Sequence, residues 1–222
     1  MKTYRALGAL LSYPSDDIMA ALPEIRAALH DDAVLAPAHL TAIDGLIEHL
    51  MGRELLDIQD EYVSLFDRVR SMSLHLYEHL YGEARERGQA MVRLQTLYKF
   101  HGFAHVSAEL PDYLPLFCEF LSLMPERTAR TILSDAAAVI EALSQRAAKR
   151  GTPYACVFQS LTSLASKEVD RTLLAEIMRG AAADDDSFDA LDRDWEEAPV
   201  TFGEGDAAKA CQPMTARGER HV

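Results

Sequence analysis

Cysteine is scarce in this chain of 222 residues, with only Cys118, Cys156 and Cys211. They lie far apart, are odd in number and form no C-x-x-C pair, so the sequence predicts neither a disulfide framework nor a thiolate zinc site. The reducing cytoplasm is therefore the expected compartment. Glycine and proline are also few, at 11 and 9 residues. This composition favours long elements over many short strands and turns.

Long hydrophobic runs are missing as well. No apolar stretch approaches the roughly 18 to 20 residues that a helix needs to cross a bilayer. The N-terminus MKTYRALGALLSYPS resembles the start of a signal peptide, because Lys2 and Arg5 precede an apolar run. That run, from Ala6 to Leu11, is shorter than the usual roughly 7 to 15 residues, and no A-x-A cleavage pattern follows it. We expect an amphipathic first helix and no direct membrane insertion.

Positive charge is in short supply, with 22 Lys and Arg against 35 Asp and Glu and a formal net charge of −13. From Asp184 onward there are 11 acidic and 4 basic residues, a net −7, which leaves −6 for the first 183 positions. Binding to a phosphate backbone needs clustered Lys and Arg, which an acidic chain of this kind does not supply. Nucleic acid is therefore excluded as an expected partner.

Apolar residues recur at helical spacing along most of the chain, from Tyr4 to Ile177, and no strand alternation or internal repeat is present. Ser15 is predicted to cap a second helix that ends near Leu29, and Asp112 to cap a later one. A helical stripe continues from position 53 to Phe66. The predicted class is an all-α, single-domain helical bundle over residues 1–180. An acidic, largely flexible tail follows over 181–222, with a short amphipathic segment near 187–197.

One short pattern suggests a metal site. His75, Glu78 and His79 match H-x-x-E-H, in which histidines four residues apart on a helix bind zinc from one face. Such a site needs a third protein ligand. Glu109 and Glu119 are candidates, but their spacing selects neither. The other interpretation, which we prefer, is that these histidines are exposed or hydrogen-bonded. No metal is then expected, and a zinc-dependent hydrolase is only a distant alternative function.

The basic residues of the same stretch have two interpretations. Arg68 and Arg70 can form an anion site with two further arginines, Arg85 and Arg87. Alternatively they pair with carboxylates and fix the joint between helices; the candidates are Asp67, Glu78, Glu83, Glu86 and Asp112. The sequence has no glycine-rich phosphate loop, no G-x-S-x-G elbow and no nucleophile with an evident base. We therefore expect a protein that is not an enzyme and holds no cofactor.

Two blocks carry a resemblance to a known family. They read YVSLFDRVRSMSLHLYEHLYGEARERGQAMVRL from Tyr62, and HGF followed by ELPDYLPLFCEFL at Glu109 to Leu121. Together with LLSYPS near the N-terminus and WEE at Trp195, they closely resemble the nitrate reductase assembly chaperones within the TorD/DmsD/NarJ group of redox-enzyme maturation proteins. The likeness covers nearly the whole chain. Tyr113 departs from the group's E-x-P-D-H pattern, which often has histidine there.

The resemblance implies a TorD-like helical bundle that acts as a system-specific cytoplasmic chaperone. Its partner would be the N-terminus of the apo catalytic (alpha) subunit of respiratory nitrate reductase. The chaperone would support molybdenum cofactor insertion and delay membrane docking until that cofactor and an iron-sulfur cluster are in place. Cofactor-delivery proteins are further candidate partners. The alternative is a chaperone of the same fold for a different molybdoenzyme.

A chaperone of this kind needs a groove for an amphipathic peptide helix, rimmed by charges that set its orientation. The predicted apolar contacts are Phe66, Leu76, Tyr77 and Tyr81. The predicted rim or helix-holding residues are Arg68, Arg70, Glu78, Glu83 and Asp112. His79, Glu109, Pro111 and Tyr113 complete the set of predicted partner-binding residues.

Overall fold

The computed structural model describes residues 1–81, 84–104 and 109–183. These residues belong to one compact unit, Met1–Asp186, and within them there are nine α-helices and no β-strand. The predicted all-α class is therefore confirmed. In that described part of the chain, no helix is both long enough and apolar enough to span a membrane. The amphipathic segment predicted near 187–197 lies outside the described residues.

The helices are joined mostly by short connections, apart from one irregular stretch between the fourth and the fifth. The bounds are α1 Lys2–Leu10, α2 Asp16–Asp32, α3 Pro37–Met51, α4 Leu55–Tyr62, α5 Ala84–Phe100, α6 Leu114–Ser122, α7 Glu126–Arg150, α8 Ala155–Leu164 and α9 Arg171–Ala183. A π turn at Val63–Asp67 and two 3₁₀ turns, Arg70–Met72 and Leu76–His79, make up the irregular stretch.

The second helix begins as predicted and ends later than predicted. Its N-cap is Ser15, whose Oγ accepts a hydrogen bond from the backbone N–H of Ile18 at 3.3 Å. The helix continues past Leu29 to Asp32. There the carboxylate accepts hydrogen bonds from the backbone N–H and the hydroxyl of Thr3, at 2.9 and 2.8 Å. This tie to α1 is a tertiary contact, so the apolar periodicity of α2 could not reveal it.

Two local predictions around the irregular stretch are wrong. The helical stripe does not continue regularly to Phe66, because α4 passes at Val63 into a π turn that is closed by the Arg68 N–H bond to the Val63 carbonyl at 3.0 Å. Asp112 does not cap α6. The N-cap residue is Tyr113, without a side-chain cap bond, and the Asp112 carboxylate instead bonds the backbone N–H of Tyr77.

The core is built around α7, the longest helix, with 25 residues. It packs against α8, α9, α6 and both 3₁₀ turns, while α1 packs against α2, α6 and α8. Leu133, Ile140 and Leu143 of α7 are fully buried, as are Phe120 of α6 and Phe158 of α8. Burying a side chain of this size stabilises the fold by about 1.5–3 kcal/mol. The irregular stretch is therefore held on a rigid helical base.

A close approach of α1 and α6 depends on Gly8. A Cβ at this position would lie 2.8 Å from the Cβ of Cys118 and 3.0 Å from the carbonyl oxygen of Pro115. Both neighbours lie on α6; real Cβ atoms essentially never show a contact as short as the first, and the second is tighter than most real Cβ contacts. The glycine is therefore required by helix packing.

We predict that Gly8→Ala lowers the free energy of unfolding by about 1–2 kcal/mol. Overpacking costs about 1–3 kcal/mol, and the better helix propensity of alanine offsets only part of it. The matched control is Gly45→Ala in α3, where a Cβ would meet nothing within 4 Å. This control should be stabilised by about 0.5–1 kcal/mol. Urea unfolding measures both, and equal effects at the two sites would refute the packing argument.

Candidate functional site

The two sequence blocks singled out above meet in a short antiparallel bridge. The backbone N–H of Leu76 bonds the Asp112 carbonyl at 3.0 Å, and the N–H of Leu114 bonds the Leu74 carbonyl at 2.9 Å. His75 and Tyr113 face each other between these bonds. Segments about 37 residues apart in sequence are therefore fixed side by side.

Asp112 lies beneath this bridge with 0% of its surface exposed. Its Oδ2 accepts a hydrogen bond from the Tyr77 N–H at 3.0 Å, and its Oδ1 lies 3.4 Å from Nδ1 of His75. The hydrogen bond to Asp112 raises the pKa of His75, against the opposing effect of burial. An unpaired buried carboxylate is costly, so these partners stabilise the turn they join.

Tyrosine hydroxyls tie the bridge to the surrounding helices. Tyr98 of α5 donates to the Pro111 carbonyl at 2.7 Å. Tyr62 of α4 donates to the Leu11 carbonyl at 2.9 Å, and its oxygen lies 3.2 Å from the hydroxyl of Tyr113. Since a hydroxyl has one proton, Tyr113 is the donor in the bond between the two tyrosines. The position of Tyr113 is thus fixed by side chain as well as backbone.

A second buried network holds the irregular stretch at Ser71 and His79, on either side of the positions that Asp112 contacts. Arg146 of α7 donates to the carbonyls of Ser71 and Ile177, at 2.8 and 2.9 Å, and lies 3.2 Å from Nδ1 of His79. Nε2 of His79 lies 2.8 Å from the Ser73 carbonyl. Because a carbonyl only accepts, the His79 proton is on Nε2, and Nδ1 accepts from Arg146. Burial, with a smaller contribution from Arg146, lowers the pKa of His79.

The zinc interpretation of H-x-x-E-H does not fit this geometry. His75 precedes the 3₁₀ turn instead of sharing an α-helical face with His79, and both ring nitrogens of His79 are engaged by the protein. Glu78 pairs with Arg87 at 3.0 Å. Within residues 1–81, 84–104 and 109–183, no three potential ligands are grouped for a metal. The pattern instead holds helices together.

Three adjoining cavities form a groove along the irregular stretch. The aromatic cavity, about 150 Å³, is lined by Tyr13, Tyr62, Phe66, Tyr113, Asp67 and Glu109 among others. The arginine cavity, about 330 Å³, contains Arg68 and Arg70 and shares Phe66, Asp67 and His75 with the first. The α9 cavity, about 300 Å³, shares Arg70 and Glu78 with the second and ends at Tyr81, Leu173 and Glu176.

Most predicted site residues line this groove. They are Phe66, Arg68, Arg70, Glu78, His79, Tyr81, Glu109 and Tyr113. Leu76 and Tyr77 instead line a separate, mainly apolar cavity of about 120 Å³ against α5, α6 and α7. Pro111 and Asp112 are buried supports, and Glu83 lies outside the described residues.

The two arginines of the arginine cavity remain exposed, and within the described residues neither has an ion-pair partner. The predicted pairing across the joint occurs instead between Arg87 and Glu78, at 3.0 Å. Arg68 and Arg70 therefore present their guanidinium groups to the groove and are suited to bind an anion or a carboxylate.

Sequence reasoning missed Tyr13, Arg146 and the α9 wall. Tyr13, which the sequence marks only as part of LLSYPS, lines the aromatic cavity and is 47% exposed. Arg146 follows the buried Leu143 by three residues, so the periodicity of α7 places it on the apolar face. That lone cation on an apolar stripe was the available signal. No sequence signal indicated that Leu173 of α9 lies beside the 3₁₀ turn Leu76–His79.

Removal of the Arg146 side chain should destabilise the fold by about 2–4 kcal/mol. Arg146→Met leaves the Ser71 and Ile177 carbonyls without this donor, and unsatisfied buried groups carry most of the cost. The control, Lys149→Met, removes an exposed charge from the same helix and should change stability by less than about 0.5 kcal/mol. Chemical denaturation distinguishes the two, and similar values would contradict the role of the network.

The two histidines should titrate on opposite sides of 6.5, the ordinary histidine pKa. His75 gains stability from its proton, so its contribution is present below pH 6.5 and is lost as pH rises through its raised pKa. His79 contributes above pH 6.5, and this is lost as pH falls through its lowered pKa. NMR titration measures both, and Asp112→Asn should lower the pKa of His75 while leaving that of His79 below 6.5.

Comparison with known proteins identifies the family. Residues 32–160 match the model of the nitrate reductase delta subunit family. The nitrate reductase molybdenum cofactor assembly chaperone NarJ of Escherichia coli K12 is 39% identical over 203 residues, which cover 90% of this chain and 86% of that protein. The probable chaperone NarW of the same strain is 34% identical over 95% of this chain and 87% of its own length.

A more distant relative agrees. The probable NarJ chaperone of Bacillus subtilis 168 is 30% identical over 69% of this chain and 82% of its own length. All three relatives are named as assembly chaperones, not catalysts, which supports the expectation that this chain is not an enzyme. The resemblance predicted from the motifs is confirmed, and the chain belongs to the nitrate reductase delta subunit family.

Proposed function

We propose that this chain is a cytoplasmic assembly chaperone of respiratory nitrate reductase. It binds the N-terminal segment of the apo catalytic subunit and supports molybdenum cofactor insertion before that subunit docks at the membrane. The chaperone role rests on the family. The observation that carries the binding site is the continuous groove, which runs along the residues by which the sequence resembles these chaperones.

The groove has the chemistry to receive an amphipathic helix. Tyr13 and Tyr113 offer aromatic surface at one end, over a floor that includes the buried Phe66. The partly buried Tyr81 and Leu173 offer aromatic and apolar surface at the other end, in the α9 cavity. A helix presents side chains of one face about every 5.4 Å. Residues spaced three or four apart in a client can therefore enter successive cavities of the groove. Tyr and Phe are among the side chains enriched at protein interfaces.

Charges along the rim favour one orientation of the client. Arg68 and Arg70 lie in the middle of the groove, with Glu109 at one end and Glu176 at the other. A segment whose acidic residues meet the arginines binds better than the same segment reversed. Because such rim charges are exposed, each contributes modestly, which suits a grip that must be released.

The walls of the groove are fixed before a client arrives. Asp112 and Arg146 hold the irregular stretch through bonds to its backbone, at Tyr77 and Ser71 respectively. A binding surface that is already ordered avoids part of the entropy cost of association. Among the predicted contacts, Asp112, Pro111 and Leu76 therefore act as supports of the groove. Cofactor-delivery proteins remain candidate partners for surfaces outside it.

The proposal predicts measurable binding of a synthetic peptide with the sequence of the catalytic subunit's N-terminus. Arg70→Glu and Tyr81→Ala should each weaken the affinity by about tenfold, or about 1.4 kcal/mol, because each removes a groove contact. Arg127→Glu, at an exposed position on α7, makes the same charge change away from the groove and should bind like the unaltered chain. Isothermal titration calorimetry measures all four proteins.

The absence of binding heat, together with failure of the full chain to retain the apo subunit in a pull-down, would refute the proposal. Tighter binding of the corresponding peptide from another molybdoenzyme would favour the alternative client. Deleting the gene and measuring the molybdenum cofactor content of nitrate reductase tests the role in insertion. That content should fall sharply, and the Arg70→Glu variant should restore it less well than Arg127→Glu.

A further inference from the structure

The aromatic cavity at one end of the groove is lined by aromatic rings and carboxylates. Tyr13 and Tyr113 are its accessible rings, because Tyr62 and Phe66 are only 3% and 4% exposed. Tyr62 packs edge-on against Tyr13, with ring centroids 5.5 Å apart, and lies 4.9 Å from the ring of Phe66. Tyr113 closes another side. A cavity of about 150 Å³ suits the head group of one side chain. Phenol and phenyl rings attract cations through their negative faces.

The hydrogen bonds of the tyrosines leave an acceptor at this site. Tyr62 gives its hydroxyl proton to the Leu11 carbonyl, so Tyr113 must give its own proton to the oxygen of Tyr62. The oxygen of Tyr113 then retains lone pairs and has no proton left to donate. While that bond is made, the Tyr113 oxygen can accept a hydrogen bond from a ligand but cannot donate one.

Two carboxylates complete the site. Asp67 and Glu109 both line the cavity and are exposed, and the described part of the chain contains no ion-pair partner for either. Both lie close enough to Tyr113 to add to the effect of burial, which raises the pKa of its phenol. His75 also faces the cavity, but any positive charge on it is paired with the buried Asp112. The two carboxylates therefore favour an incoming cation, most of all near Glu109, because Asp67 also lines the neighbouring arginine cavity.

We propose that the aromatic cavity is a subsite for the cationic head group of a lysine or arginine side chain in the bound client segment. The inference rests on the proposed function and adds the specificity of one position. The neighbouring arginine cavity, with Arg68 and Arg70, repels the same group. A basic residue is thus accepted at one end of the groove and rejected in the middle. This contrast fixes the register of the client.

The site can be tested without the client. The probes are Nα-acetyl-arginine methylamide and its neutral counterpart, Nα-acetyl-citrulline methylamide, titrated into the full chain and followed by NMR. The arginine probe should give saturable shifts at Tyr13, Asp67 and Tyr113, and the citrulline probe should not. The double variant Asp67→Asn/Glu109→Gln should weaken arginine binding by at least about fivefold.

The matched control is Glu24→Gln/Glu168→Gln, which removes two exposed carboxylates elsewhere and should leave binding unchanged. Tyr113→Phe removes the acceptor oxygen but keeps the ring, and an intermediate loss is expected. Equal shifts with both probes, no shifts at the cavity, or full arginine binding by the first double variant would each overturn the subsite. Thermal unfolding of every variant shows whether the fold is intact.

A peptide experiment connects the subsite to the client. In the N-terminal peptide, each lysine or arginine is replaced in turn by norleucine or citrulline. One replacement should weaken binding of the peptide to the unaltered chain by about fivefold. The same replacement should leave binding to the Asp67→Asn/Glu109→Gln variant unchanged. If the peptide binds but no position shows this coupling, the subsite is refuted. If the peptide does not bind at all, the proposed client segment is wrong. The titration with the arginine probe then tests by itself whether the cavity binds a cationic head group.

Discussion

The buried carboxylate of Asp112 is the constraint on which the rest of the site depends. It accepts from the Tyr77 N–H and contacts His75, while its own backbone carbonyl accepts from Leu76. One residue thereby fixes three consecutive positions of a segment that has no regular helix to hold it. Separating the two chain segments would leave a buried carboxylate without partners, which is strongly unfavourable. The carboxylate therefore keeps the segments together.

Arg146 supports the same stretch at Ser71 and His79, on either side of the positions that Asp112 contacts. A guanidinium has donors in several directions, so a single side chain on the central helix α7 can bond Ser71, His79 and Ile177 of α9. Two buried polar side chains, Asp112 and Arg146, therefore hold the irregular stretch in place. Regular helices would satisfy their backbone internally and leave less need for such groups. Because the irregular stretch does not satisfy all of its backbone groups internally, it needs the buried polar side chains as hydrogen-bond partners.

The groove follows from this arrangement. Where the chain leaves helical geometry, the exposed side chains of Arg68 and Arg70 line one cavity, and a second cavity lies between the stretch and α9. The buried Asp112 and Arg146 keep the surface ordered, while the exposed arginines remain accessible to a partner. Arg68 and Arg70 are placed on its rim, where charge guides orientation at little cost in stability. This combination suits transient binding of a peptide segment.

The sequence by itself determined the all-α class, most helix positions and the family, because apolar periodicity and local motifs are written in neighbouring residues. Its motifs also singled out the two blocks that meet in the bridge, one beginning at Tyr62 and the other at Glu109–Leu121. Only the tertiary structure decided that Asp112 faces Tyr77 instead of capping α6, and that Arg146 reaches the stretch from 67 to 75 positions away. Such contacts depend on how helices pack, and packing is set by the whole core, which no local pattern encodes.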